Sequence, residues 1–326
     1  AGAARPAWLR SPGDEDPVAL DGSALAELLD ELQPASGVKV GLHCAGGCGG
    51  GPGDAAPNQD TYSITHALED AALYVVCDGY GPFGEVAAFR VAQSLPKLVL
   101  DSLQAGAENE SPEQALSAAF AAAGADFLRF AADHALDVAG SGTTAACALR
   151  QGGSVVVAWL GDARVLVATV AGDYAKVDLM AAPHAPSDPA ERRRVERRGG
   201  VVHQEDGSTW RVSAPGCDLG TGLSVCRAIA DADAAAAGVI SQPGLAKTSF
   251  ATAPGLVLLA SGGLWEAVGP GQEVVEELLR AGDLPRQGPS RALAALCGAA
   301  AAREGDEHDR GEDITGILLH WPATRE

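Results

Sequence analysis

The sequence predicts an α+β domain of mostly antiparallel sheets covered by helices, on three observations. From Gly142 onward, short apolar runs separated by Gly-containing turns read as successive strands. Elsewhere, longer stretches carry apolar residues at helical spacing behind recognisable capping residues. The two kinds of segment interleave without strict alternation, which argues against a doubly wound parallel sheet. The composition is globular, with 47% apolar and 20% charged residues, and 326 residues suffice for a large core.

The elements follow in order. From Asp21, Asp-Gly-Ser-Ala-Leu-Ala-Glu-Leu-Leu-Asp-Glu-Leu reads as a short amphipathic helix, and Val38–Cys44 alternates like an edge strand. Ala45–Asp54 is nearly all Gly, Ala, Pro and Cys and reads as a loop. It lacks the Lys-Ser/Thr ending and the strand-to-helix setting of a P-loop. Leu73–Cys77 reads as a short buried strand ending at Asp78-Gly79. Residues 85–104 read as a helix turning Val86, Phe89, Leu95 and Val99 to the core, with Pro96 as a kink or break. A second helix opens with Ser111 as N-cap, Pro112 at the first helical position and Gln114 closing a capping box. Its Leu116, Phe120, Phe127 and Phe130 share a face.

Thr143–Leu149, Val155–Leu160, Val165–Val170 and Tyr174–Leu179 then read as an antiparallel meander. A charged helix follows, with Asp188 as N-cap, Pro189 at N1, Glu191 at N3 and Gly199 just past its end. Its five arginines (192, 193, 194, 197 and 198) form either a solvated helix face or a phosphate-binding one. Further strands are expected around Val201, Lys247–Ala251 and Leu256–Ala260, two helices near 270–281 and 290–303, and a last strand over Ile314–Trp321.

Charge and cysteines narrow the function. The net charge of −20 and pI near 4.6 argue against a nucleic-acid binder. No uncharged apolar run approaches the roughly 18–20 residues of a membrane span, and residues 1–20 show no signal peptide. The seven cysteines include no CxxC pair, so no zinc ribbon is indicated. Buried reduced thiols suit a reducing compartment, and the expected location is the cytoplasm.

Acidic residues recur at strand ends: Asp60 in Asn58-Gln59-Asp60, Asp78 in Val76-Cys77-Asp78-Gly79, Asp162 in Gly161-Asp162-Ala163-Arg164, and Glu312-Asp313 before the last strand. Carboxylates that converge at one sheet edge need a cation, and hard divalent ions take oxygen ligands. Each Asp-Gly taken alone is also an ordinary turn.

The order of these pieces resembles the metal-dependent protein serine/threonine phosphatases of type 2C. The resemblance is carried by Asn58-Gln59-Asp60, Val76-Cys77-Asp78-Gly79-Tyr80-Gly81-Pro82-Phe83-Gly84, Gly140-Ser141-Gly142-Thr143-Thr144-Ala145 and Gly161-Asp162-Ala163-Arg164. It continues through Glu196-Arg197-Arg198-Gly199-Gly200, Leu223–Asp231, Leu258–Glu266 and Glu312-Asp313-Ile314-Thr315. The Gly-Pro-Phe-Gly ending is similar to plant and protist members. The resemblance implies a four-layer α-β-β-α sandwich of two mostly antiparallel sheets flanked by helices. It places a single phosphatase-2C-like domain at 38–321, between an N-terminal extension with a short helix (1–37) and a tail (322–326). It also implies a two-metal Mg²⁺ or Mn²⁺ site. Asp78 would bridge the ions, the Gly79 carbonyl would join one, and Asp60 would hold a metal-bound water. Asp162 would belong to a weaker third-metal region, and Glu312 stands at the last ligand position.

The departures from the family pattern fall on the same chemistry. The Ser-Asp-Gly ligand motif reads Ser261-Gly262-Gly263, so a carboxylate ligand is missing at Gly262. Glu312 is longer than the family's Asp by a methylene. Tyr80 replaces a general-acid His, and a phenol of pKa about 10 is a poor proton donor near neutrality. Gln59 replaces a Glu of many members, and Asp54-Ala55-Ala56-Pro57 stand where a basic phosphate clamp is usual. The expectation is a pseudophosphatase that acts as a phosphoprotein-binding or regulatory scaffold. The alternative is a Mg²⁺/Mn²⁺-dependent phosphatase with a remodelled, slow site. The expected partners are phosphoproteins or a signalling protein, with no nucleic acid and no membrane.

Overall fold

The structure, a computed structural model, describes residues 37–46, 57–67, 71–105, 111–172, 174–205, 207, 209–217, 222–251, 253–280, 283–304 and 312–322. The expected helix from Asp21 and all but the first two residues of the Ala45–Asp54 loop lie outside them, as does most of the Asp54–Pro57 stretch. The strands are β1 (Lys39–Ala45), β2 (Asp60–Ala67), β3 (Ala71–Tyr80), β4 (Gly142–Gln151), β5 (Ser154–Leu160), β6 (Arg164–Ala171), β7 (Tyr174–Met180), β8 (Val201–Glu205), β9 (Thr209–Ser213), β10 (Gly244–Ser249), β11 (Gly255–Ala260) and β12 (Ile314–Trp321). The helices are α1 (Gly84–Gln104), α2 (Pro112–Asp133), α3 (Pro189–Arg197), α4 (Ala232–Ala236), α5 (Gly262–Ala267), α6 (Gly271–Arg280), α7 (Leu284–Gln287) and α8 (Pro289–Glu304).

Two five-stranded sheets carry the fold, ordered β1-β12-β11-β6-β7 and β10-β5-β4-β3-β2, with β8 and β9 as a separate ribbon. Every pair between neighbouring strands is antiparallel. The inner faces interlock through Val40, Leu42, Val257 and Ile317 of one sheet and Tyr74, Val76, Ala148 and Val157 of the other. The outer face of the first sheet packs on α5, α6 and α8 through Leu258, Leu318, Leu264, Val275 and Leu296. That of the second packs on α1 and α2 through Val75, Cys147, Val91, Leu95 and Phe120. Each such fully buried side chain contributes about 1.5–3 kcal/mol. This is the four-layer α-β-β-α arrangement, with β1 an edge strand as expected.

Several local readings change. The four-strand meander is two hairpins: β4–β5 lies in one sheet and β6–β7 in the other. The Gly161-Asp162-Ala163 link crosses between sheets rather than turning back, with Gly161 in the left-handed region at φ +83°. Strand β3 runs on through Asp78 and Gly79 to Tyr80 instead of ending at Cys77. Phe89 is 41% exposed, because the buried stripe of α1 runs through Ala88, Val91, Ala92, Leu95 and Val99 and leaves Phe89 about 100° off it. Pro96 lies within α1 without ending it.

The helix caps form as expected. Ser111 and Gln114 make a reciprocal capping box on α2, and the Asp188 side chain accepts from the Ala190 N–H at 2.7 Å to start α3. Pro112–Asp133 is long and apolar enough by length and composition to cross a membrane, where the sequence alone showed no such run. Its Leu116, Phe120 and Phe127 are fully buried in the protein, as in a core helix. Of the six cysteines among the described residues, Cys77, Cys147, Cys226 and Cys297 are buried, while Cys44 and Cys217 are exposed.

Backbone closeness sets one sharp expectation. A Cβ on Gly41 would lie 2.4 Å from the Pro289 carbonyl carbon and 2.6 Å from the Ser290 nitrogen, so β1 sits directly on the start of α8. Backbone cannot yield as a side-chain tip can. Gly41→Ala should therefore destabilise by about 2 kcal/mol or more, read as a lower midpoint in urea unfolding at unchanged slope.

Candidate functional site

The antiparallel register brings the acidic strand ends to one edge. Asp60, the first residue of β2, pairs directly with Asp78 of β3, and Asp78 pairs with Thr144 of β4. Asp162 follows the end of β5, Gly262 follows the end of β11, and Glu312-Asp313 precede β12. The strand ends Asp60, Asp78, Asp162 and Gly262 thus meet in one place, as the sequence spacing anticipated but could not establish.

Backbone hydrogen bonds lock this edge. The Gly79 N–H donates to the Gln59 carbonyl at 3.1 Å, and the Thr143 hydroxyl donates to the Asp78 carbonyl at 2.9 Å. A Cβ on Gly79 would lie 2.1 Å from the Gly84 carbonyl, so only glycine lets the end of β3 touch the start of α1. Gln59 does not face the carboxylates. Its side-chain amide donates to the Gly81 carbonyl at 2.8 Å and to Glu85 at 3.3 Å, bracing the 79–84 turn.

The carboxylates are weakly compensated, with Arg164 acting on Asp162. Asp60 is buried, and neither of its side-chain oxygens has a hydrogen-bond partner of good geometry; the same holds for one oxygen of Asp162. Burial pushes Asp60 up to about 7; the Ser261 and Thr315 hydroxyls oppose that rise, and Asp313 and Asp162 add to it. Asp78 is raised well above the usual carboxylate range, first by burial and then by Asp60 and Asp162. Burial also raises Asp162, against the pull of Arg164. Glu312 is exposed, while its neighbour Asp313 accepts from the Gln59 N–H at 2.7 Å and lies beside Asp60. Asp313, named in the sequence beside Glu312 but given no role there, is thus a member of the cluster. Its signal was present in the Glu312-Asp313 pair, but single-residue spacing does not say which carboxylate turns inward.

At position 262 the backbone faces the cluster and carries no side chain. The Gly262 N–H donates to Asp78 Oδ2 at 2.9 Å. A Cβ there would lie 3.1 Å from Asp78 Oδ2 and 3.4 Å from Asp162 Cγ, so a side chain at 262 would stand between the two carboxylates. Among the described residues, no three His, Cys, Asp or Glu side chains stand in an arrangement that would hold a metal ion. The orphaned oxygens of Asp60 and Asp162 are free to face a cation.

Tyr80 leaves the cluster for a different environment. A Cβ on Gly142 would lie 2.6 Å from its hydroxyl oxygen, and its ring packs against the group formed by Val195, Val212, Val225 and Val239. Burial, then nearby Asp231, raises the phenol well above its ordinary value. A group so hard to ionise is no proton donor near neutral pH.

The family model described as Protein phosphatase 2C matches residues 56–304. Among curated proteins, the chain is 29% identical over 269 residues to "Probable protein phosphatase 2C 12" of Oryza sativa subsp. japonica, covering 68% of each chain. It is 33% identical to "Probable protein phosphatase 2C 64" of the same organism, over 73% of this chain and 55% of that one. It is 34% identical to "Protein phosphatase 1F" of Homo sapiens, over 73% of this chain and 47% of that one. The chain therefore spans between about half and two thirds of these relatives' length. Among solved structures, serine-threonine phosphatase 2C from Toxoplasma gondii aligns with TM-score 0.70 at 18% identity, covering 87% of this chain and 95% of that one. A C. elegans sex determining protein aligns with the same TM-score at 19% identity, covering 87% and 65%. These two likenesses speak to fold alone.

Proposed function

This chain belongs to the protein phosphatase 2C family, and from that premise we propose that it is a pseudophosphatase, a phosphatase-fold scaffold that binds phosphoproteins without turning them over. Members of the family are in general Mg²⁺- or Mn²⁺-dependent serine/threonine phosphatases. The observation that carries the proposal is the bare position 262: a side chain there would stand 3.1 Å from Asp78 Oδ2 and 3.4 Å from Asp162 Cγ, where the family places a carboxylate ligand, and glycine supplies none. Tyr80, its hydroxyl buried near Asp231 and its pKa raised, supports it from the leaving-group side. In this reading Asp60, Asp78, the Gly79 carbonyl, Asp162 and Glu312 are remnants of the ligand set, and Gln59 keeps a bracing role. Partners would be signalling phosphoproteins in the cytoplasm. The net charge of −20 favours a basic partner and disfavours nucleic acid and anionic membrane surfaces.

The test is phosphopeptide hydrolysis across a Mn²⁺ and Mg²⁺ titration, with Asp78→Ala alongside. The expected result is no turnover above that of Asp78→Ala at millimolar metal. Turnover that Asp78→Ala abolishes would instead establish a slow phosphatase with a remodelled site. The orphaned oxygens of Asp60 are the observation favouring that second reading.

A further inference from the structure

Residues 189–227 hold seven arginines against five carboxylates, in a chain whose net charge is −20. The pairing within this segment is uneven. Glu191 takes both Arg194 and Arg227, and Glu196 takes Arg192 at 3.4 Å. Arg193, Arg197 and Arg198 are exposed, and no carboxylate pairs with any of them among the described residues. Arg193 and Arg197 are four residues apart on α3 and so share a face. The Arg197 Nε donates to the Arg193 carbonyl at 3.1 Å, which holds its guanidinium against the helix. Beside them the Arg192 guanidinium lies 4.0 Å over the Trp210 ring of β9, fixing the neighbouring side chain as well.

The opposite, buried side of α3 anchors the helix near the site. Val195 of α3 is buried in the same group of side chains against which Tyr80 packs. Tyr80 is two residues from Asp78.

We propose that the Arg193–Arg197–Arg198 face of α3 is the docking surface for a phosphorylated serine/threonine segment of a partner protein. This rests on the phosphoprotein-binding reading and names where the phosphate goes. Guanidinium groups offer paired N–H donors that match phosphate oxygens, and they stay charged at every accessible pH. Elsewhere the chain's negative charge repels a dianion, so the phosphate is focused here, while the acidic remainder attracts a basic partner body.

The experiment measures anisotropy of a labelled, doubly phosphorylated Ser/Thr peptide with neutral flanks, on the full chain in EDTA. Its unphosphorylated twin, the triple variant Arg193→Glu/Arg197→Glu/Arg198→Glu and a control triple of equal charge, Arg129→Glu/Arg280→Glu/Arg291→Glu, run beside it. Circular dichroism and melting check that both variants fold. The expected result is at least tenfold tighter binding of the phosphorylated peptide, at least tenfold loss in the α3 variant and under twofold loss in the control. Equal binding of the two peptides, equal loss in both triples or no loss in the α3 triple would each overturn the proposal. A concentration-dependent dimer in sedimentation that only the α3 triple abolishes would assign the face to a second copy, and would overturn it too. Because EDTA separates binding from turnover, hydrolysis with Mn²⁺ would sink the pseudophosphatase reading alone. Unchanged affinity in the α3 triple would sink this one alone.

Discussion

Gly262→Asp should make the protein's stability far more responsive to metal. The natural Cβ-less position lies between Asp78 Oδ2 at 3.1 Å and Asp162 Cγ at 3.4 Å, and its backbone is not in the left-handed region, so an aspartate fits without backbone strain. In EDTA the added carboxylate joins a cluster in which Asp60 and Asp78 are already raised by burial and by like charge. Uncompensated charge of that kind costs about 1–3 kcal/mol. The variant should therefore melt several degrees below the natural protein, at about 2–4 °C per kcal/mol for a large domain. With Mn²⁺ the order should reverse. An ion bound at a hundred times its dissociation constant adds about 2.7 kcal/mol, so the variant's Mn²⁺-induced rise in melting temperature should exceed that of the natural protein by at least 5 °C. Phosphopeptide turnover should appear in the variant only. Equal Mn²⁺ shifts in the two proteins would show that the missing carboxylate at 262 does not limit metal binding.

The reason the sequence could raise this prediction, and not settle it, lies in which signals are local. The caps of α2 and α3 and the bounds of β12 were legible because Ser111-Pro112-Glu113-Gln114, Asp188-Pro189 and the apolar run from Ile314 are decided within a few residues. The split of the meander was not. A glycine-bearing link such as Gly161-Asp162-Ala163 looks the same whether it closes a hairpin or steps between facing sheets about 10 Å apart. Phe89 was misplaced for a related reason: a large apolar residue near the right spacing outweighed the small alanines that make the true stripe of α1. Strand β9 and helices α4, α5 and α7 are too short for any period to register. They are held by tertiary burial, as when Val212 and Ala234 enter the group around Val195. At the site, the strand-end aspartates were readable as residues, yet the inward turn of Asp313 and the Gly262 N–H bond to Asp78 depend on pairings across more than 180 residues.

Glu191→Gln should be among the most destabilising single changes in the chain, although it touches no carboxylate of the site. Glu191 is 5% exposed. It accepts from Arg194 Nη2 at 2.7 Å and from Arg227 Nε at 3.1 Å, while Arg194 also donates to the carbonyls of Gly238 and Cys226 at 2.6 and 2.7 Å. One carboxylate thus joins α3 to the 226–238 segment through two guanidinium groups. Burial alone would raise its pKa, but the bonds from Arg227 and Arg194 prevail and hold it at about 2. Neutralising it leaves two cations half-buried and unpaired, and breaking a buried pair from one side costs about 3–5 kcal/mol. The linkage has a definite sign. A folded pKa below the unfolded one gives stability that is present above about pH 4.5 and fades as pH falls through about 2. The gap in unfolding free energy between the natural protein and Glu191→Gln should therefore be full at pH 7 and shrink steadily between pH 4.5 and 2. A gap independent of pH across that window would mean that shape, not charge, is what Glu191 supplies. Because this pair anchors the helix that carries Arg193 and Arg197, the same variant should also loosen phosphopeptide binding at pH 7 while leaving the exposed arginines in place. That would separate the anchoring of the docking face from its charge.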